Sequence, residues 1–359
     1  MKPQSPYFRV DHPKVARNLI SLLTLINIIL IAGCTSLTTP DNGLEILSDT
    51  DFEEHGIPGR GTLQDPYVIA NRTFTGVSYG IRIEGTTKHF RILNCQIEKY
   101  YEGIFIRDIE AGTGIIANNS IGKAYPNSHY LDPGLRAGIE ISNSANMTVQ
   151  NNHIISSTHQ GINLNYVKDC YISNNVLSGQ FTSLGVFNTE NCIIDNNTLE
   201  PSQEVFYSSE SRNLTISNNE CKGGSRFYEL ENSTIVNNSF FDAYTTADLV
   251  NGGYGIYTRS IFSYYINNWF ENNELYAIYL TSTMEYISKY NWIYHNGFMY
   301  NAGNGTQAAD DGRDNMWYNS DLAEGNYWSD WSGTDTYSID GTAHAVDAYP
   351  LSVFNGTSS

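Results

Sequence analysis

The sequence predicts an all-β fold, a single-stranded right-handed parallel β-helix (solenoid) of about ten coils with capped ends. Two observations carry this. An asparagine corner recurs at Asn94, Asn118, Asn151, Asn174, Asn196, Asn218 and Asn237, in steps of 24, 33, 23, 22, 22 and 19 residues. Two residues before each corner stands Ile92, Ile116, Val149, Ile172, Ile194, Ile216 or Ile235, and three after it Ile97, Ile121, Ile154, Leu177, Leu199, Cys221 or Phe240. That alternation is too fast for a helix and marks short strands. Stacked about 4.8 Å apart, such strands pile isoleucine on isoleucine and close a continuous core. Crossover chirality favours right-handed winding.

The elements follow in chain order. Lys2, Arg9, Lys14 and Arg17 precede an apolar stretch, Leu19 to Ile31, too short for a membrane span. It ends in Ile31-Ala32-Gly33-Cys34 before a polar run, and resembles a bacterial lipobox. Residues 1–33 read as a signal peptide, with Cys34 as the lipidated first residue of an exported protein held at the membrane by its anchor. Residues 34–55 read as linker and lead-in, 56–300 as the β-helix, 301–351 as a cap and 352–359 as a tail. Gly80, Gly103, Gly138, Gly161 and Gly185 each open a further strand. Asparagine tolerates the left-handed backbone of a sharp corner, and stacked amides bond to one another as an inward ladder. Asn118, Asn196 and Asn237 are assigned to that ladder, so three of the nine Asn-x-Ser/Thr sequons are read as structural. Cys170 and Cys192 share a column one coil apart, either as a disulfide or as small buried thiols. Trp317, Tyr327, Trp328 and Trp331 are read as a plug for the open end.

The run Gly-Ile-x-Ile…Asn-x-Thr-Ile-x-Asn-Asn-x-Ile resembles the right-handed parallel β-helix repeat of the NosD-like periplasmic and cell-surface proteins. Residues 59–69 are similar to that group's opening coil, and 292–298 with 325–331 to its C-terminal segment. The resemblance spans roughly residues 57–351. It implies fold more than activity, because such helices host lyases, hydrolases, isomerases and non-catalytic binders alike. NosD-like proteins are linked to assembling the copper site of nitrous oxide reductase. Exported copper carriers usually cluster histidine and methionine, whereas His55, His89, His129, His153, His159, His295 and His344 are scattered here. Copper is therefore not an expected cofactor.

Charge narrows the partners. The chain holds 38 acids against 20 Lys and Arg; without residues 1–33, which carry four bases and one acid, 37 face 16, a net −21. Such a surface repels nucleic acid and anionic lipid. A polysaccharide, a cell-surface glycan or another surface partner, bound by a monomer, is expected.

Outward positions on the Gly-Ile strand align from coil to coil as Arg82, Phe105, Glu140, Asn163 and Phe187, then Glu84, Arg107, Ser142, Asn165 and Thr189. Rings cover the apolar faces of sugars while amides and charges bond hydroxyls. The 33-residue step inserts a loop at 123–136, and a loop on a regular solenoid often walls a groove. Arg82, Phe105, Tyr125, Tyr130 and Asn163 are the candidate binding residues. Were the site catalytic, as a lyase or glycoside hydrolase, Glu84, Asp108 and Glu140 would supply acids and Arg107 or Arg136 a base. The ordered motifs of β-helix polygalacturonases are missing, and the reading leans to a non-catalytic binder. Asp335, Asp340 and Asp347 are the candidate ligands for calcium, a cofactor the spacing does not require.

Overall fold

The computed structural model describes residues 42–109, 113–122, 124, 137–155, 159–201, 203–245, 252–302 and 305–354. These form a right-handed parallel β-helix. Ten parallel strands, from Tyr67–Ala70 to Trp292–Tyr294, make one wall. Their register stacks Ile69, Ile92, Ile116, Val149, Ile172, Ile194, Ile216, Ile235, Tyr265 and Ile293 in a single column. Every member is buried. Burying each aliphatic side chain contributes about 1.5–3 kcal/mol, so the column is the backbone of the core. Twenty further strands supply the remaining sides of the coil. The 12-residue strands Thr73–Glu84 and Gln96–Arg107 run across both of these sides in the early coils.

The corners correct the reading of the asparagine pairs. The first asparagine of each pair holds the left-handed backbone and faces solvent: Asn118, Asn196 and Asn237 have φ of 57°, 54° and 56° and are exposed. The second is the buried one. From Asn119 through Asn152, Asn175, Asn197, Asn219, Asn238, Asn268 and Asn296 to Asn326, each Nδ2 donates to the next Oδ1 at 2.9–3.0 Å. The cause is geometric. A residue at positive φ turns its side chain off the corner, and its successor points into the coil. The three sequons therefore present outward asparagines.

The amide ladder has a direction, and its last donors meet a carboxylate. Asn326 donates its backbone N–H (2.7 Å) and Nδ2 (3.3 Å) to Asp347 Oδ2, and Trp328 Nε1 joins at 2.9 Å. Without Asp347 the Asn326 backbone N–H and the Trp328 indole N–H would be buried orphans. Cys170 and Cys192 are free thiols whose sulfurs accept amides of the preceding coil, Met147 and Cys170, at 3.3 Å each. That settles the disulfide alternative for two thiols.

Both ends are closed by rings. Strand Leu44–Ile46, from the expected lead-in, pairs with Ile81–Ile83, and helix Asp51–Glu54 sets Phe52 against Tyr67 at 4.3 Å. At the other end Trp328 lies between Phe298 (4.1 Å) and Tyr337 (4.0 Å), with Trp317 buried beside it. A short antiparallel ribbon, Tyr337–Ser338 with Val346–Asp347, follows.

Candidate functional site, an outward face that turns from ion pairs to tyrosines

Hydrogen-bonded register fixes the outward rows. The first runs Arg82, Phe105, Glu140, Asn163, Gly185, Tyr207, Arg226, Tyr257 and Tyr279. The second runs Glu84, Arg107, Ser142, Asn165, Phe187, Ser209, Tyr228 and Arg259. Phe187 thus belongs to the second row, two positions later than the glycine spacing predicted, and Thr189 is buried. Gly161 and Gly185 lie 24 residues apart, whereas the coil that joins their strands steps by 22, as Ile162 to Leu184. Register follows the apolar columns, not the glycines.

In the early coils the charged residues are engaged with one another. Arg82 bonds Glu84 at 2.7 Å and Glu45 at 3.1 Å, and Arg107 reaches Glu84 at 3.8 Å. The two guanidinium groups lie over Tyr79 (5.0 Å) and Phe105 (4.9 Å). Burial pushes the Glu140 carboxyl up, against a 3.0 Å hydrogen bond from Ser142 and the field of Arg107. Asp108 sits at a left-handed corner (φ 58°), where Asn143 Nδ2 donates to it at 3.2 Å. Asn163 is fully enclosed, and neither side-chain polar atom has a partner. Tyr125, Tyr130 and Arg136, like Cys34, lie outside the described residues.

In the late coils the rows become aromatic. Ring contacts run from Phe187 to Tyr207 (5.4 Å), Tyr228 (5.7 Å), Tyr257 (6.0 Å) and Tyr279 (5.5 Å). Tyr254 and Tyr276 widen this strip from a neighbouring corner. Glu204 and Arg226 make a bidentate ion pair beneath it, and Arg226 lies 4.9 Å from the Tyr207 ring. Burial pushes the Glu204 carboxyl up, and Arg226 draws it back. Arg259 lies 4.4 Å over Tyr228, with its Nε unpartnered. Tyr279 donates to Asp311, and Tyr276 to Asp340 at 2.9 Å. Burial and Asp340 push the Tyr276 phenol up to about 12, so it stays a neutral donor. Flat rings bordered by phenol and guanidinium groups are a surface with the chemistry to cover an apolar ligand face and to bond polar groups at its edge. Sequence reasoning missed Tyr207, Arg226, Tyr228, Arg259, Tyr276 and Tyr279. Carrying the columns on from Gly185 and Phe187 by the corner steps of 22 and 19 residues reaches Tyr207, Arg226 and Tyr228, and the spacing breaks after them.

The sequence model of the periplasmic copper-binding protein (NosD) matches residues 126–333, more than half of the chain. The chain belongs to the NosD family. The model of the right handed beta helix region matches residues 59–181. No curated protein matches. Among solved structures, the chain is similar to DFA-IIIase from Arthrobacter chlorophenolicus A6 in complex with GF2, at 11% identity over 79% of this chain and 76% of that one (TM-score 0.46). It is similar to an alginate lyase from Paenibacillus sp. str. FPU-7, at 12% identity over 77% and 95% (TM-score 0.45). The Streptococcus pneumoniae surface protein and adhesin PfbA aligns at 14% identity over 76% and 92% (TM-score 0.46).

The NosD description names copper, and the donors among the described residues are not gathered to fit it. Among the described residues, no three His, Cys, Asp or Glu side chains converge to hold a metal ion. His89 bonds Thr113 at 2.6 Å, His159 stacks on Phe181 at 5.5 Å and His295 meets Glu324 at 2.7 Å, each in a different place. The calcium candidates are likewise not brought together as a cluster. Asp335 is exposed at a turn, Asp340 takes the Tyr276 hydroxyl, and Asp347 is buried at the ladder's end among N–H donors.

Proposed function

We propose that this NosD-family chain is an exported, non-catalytic glycan-binding protein whose binding surface is the tyrosine strip of the late coils. The observation that carries the reading is the unbroken line of rings from Phe187 to Tyr279, flanked by Arg226 and Arg259. The carboxylates near the strip favour binding over turnover. Glu204, Asp311 and Asp340 each accept a hydrogen bond from an arginine or tyrosine and hold it in place. The family's periplasmic description and the lipobox at Cys34 support export with a membrane anchor. The test is a panel of soluble polysaccharides, with and without calcium, assayed for retention and for newly formed reducing or unsaturated ends. Retention without new ends is the expected result. New ends would replace this reading with a lyase or hydrolase, and no retention of any polysaccharide would end it.

A further inference from the structure

The wall on the other side of the coil changes character in its last two units. Along one outward row of the ten-stranded sheet stand Ile115, Thr148, Tyr171, Ile193, Thr215 and Thr234, and then Tyr264 and Trp292. The two rings stack at 4.8 Å with planes 12° apart, and Tyr264 remains 37% exposed. Tyr294 stands in the adjacent row of the same strand. Here the chain leaves the ladder as a tight turn, in which Asp321 and Leu322 donate their amides to Asn319 Oδ1 at 3.0 and 3.2 Å. The turn rises beside the rings and encloses a depression of about 190 Å³, lined by Tyr264, Trp292, Tyr294, Met316, Tyr318, Asn319, Ser320 and Asp321.

We infer that this depression is a second carbohydrate site, on a different wall from the tyrosine strip, which takes one uncharged pyranose ring. Size is the first argument. The hollow is smaller than the roughly 300–1,000 Å³ that drug-sized ligands occupy and suits a single ring or chain end. Chemistry is the second. Aromatic rings offer flat apolar surface, while three phenols, an amide, a hydroxyl and a carboxylate offer both donors and acceptors for sugar hydroxyls. Charge is the third, because Asp321 is the one charged lining group and no cation stands ready for an acidic sugar. The walls are also held from behind. Tyr318 packs on Tyr349 at 5.2 Å, and His295 bonds Glu324 across the base of the turn.

The site stands independently of the strip, and the test separates the two. Cellohexaose, xylohexaose, mannohexaose and chitohexaose are titrated against the full chain while tryptophan emission and affinity are followed. At least one should change the emission of the wild type. Trp292→Phe should keep binding but lose that signal, and Trp292→Ala should weaken it at least tenfold. Asp321→Ala, at an exposed turn position, should weaken it severalfold without a folding defect. The signal should survive in a Tyr257→Ala/Tyr279→Ala double variant, and its loss there would place the binding on the strip and overturn the inference. Emission unchanged by all four sugars, or affinity unchanged by both Trp292→Ala and Asp321→Ala, would overturn the inference.

Discussion

In the early coils the outward rows carry Arg82, Glu84 and Arg107 in one chain of ion pairs; in the late coils the same rows carry Tyr207, Tyr228, Tyr257 and Tyr279. Backbone register is shared, so the difference lies in what each side chain has left to offer. The early charges satisfy one another across adjacent coils, as neighbours on a parallel sheet can. The late rows hide their strongest charges beneath rings, where Glu204 is 2% and Arg226 20% exposed. A face that consumes its own charge is a stabilised surface. One that offers a row of half-buried rings above a paired charge is suited to a partner.

The largest effect expected from this contrast is on stability. Glu204→Ala leaves Arg226 unpaired under the tyrosines and should cost about 3 kcal/mol, since breaking a buried pair strands a charge. Glu84→Ala, in the partly exposed network, should cost less than about 1 kcal/mol. Urea unfolding of both variants measures the gap, and equal costs would erase the distinction. Replacing the pair together, as Glu204→Leu/Arg226→Met, should recover most of the loss. A smaller effect concerns ligand. For any oligosaccharide held by the strip, Tyr257→Ala should weaken binding about tenfold, near the roughly 0.5–1.5 kcal/mol beyond area that one ring contact contributes. Arg107→Ala should change it less than twofold.

The coil, its parallel strands and its apolar columns were legible because one periodic constraint repeats. Ile92 and Ile116 announce Ile172 and Ile194. What the repeat could not convey is which member of an Asn-Asn pair points inward, since that depends on which residue takes positive φ. The late rows were hidden for a related reason. After Asn218 the coil shortens to 19 residues, then the stretch 242–257 interrupts it, so a fixed spacing loses Tyr228, Tyr257 and Tyr279. Asp347 read as a candidate calcium ligand because sequence shows a carboxylate but not the four N–H groups aimed at it.

The smallest effect is in pH dependence, where the two halves should respond at opposite ends of the scale. Burial raises Glu140 above its ordinary 4.5, so the folded protein favours its protonated form. Its contribution is present below 4.5 and lost as pH rises through the raised value; Glu140→Gln should flatten that decline. In the tyrosine half, Tyr276 is raised from 10.0 to about 12 by burial and Asp340, so its contribution is present below pH 10 and lost between 10 and 12. Tyr276→Phe should flatten the alkaline limb and leave the acid limb unchanged. Midpoints of thermal unfolding across pH, read alongside phenolate absorbance, test both. If Glu140→Gln moved the alkaline limb instead, the two halves would be coupled, and the ion-paired coils would be part of the tyrosine surface rather than its structural counterpart.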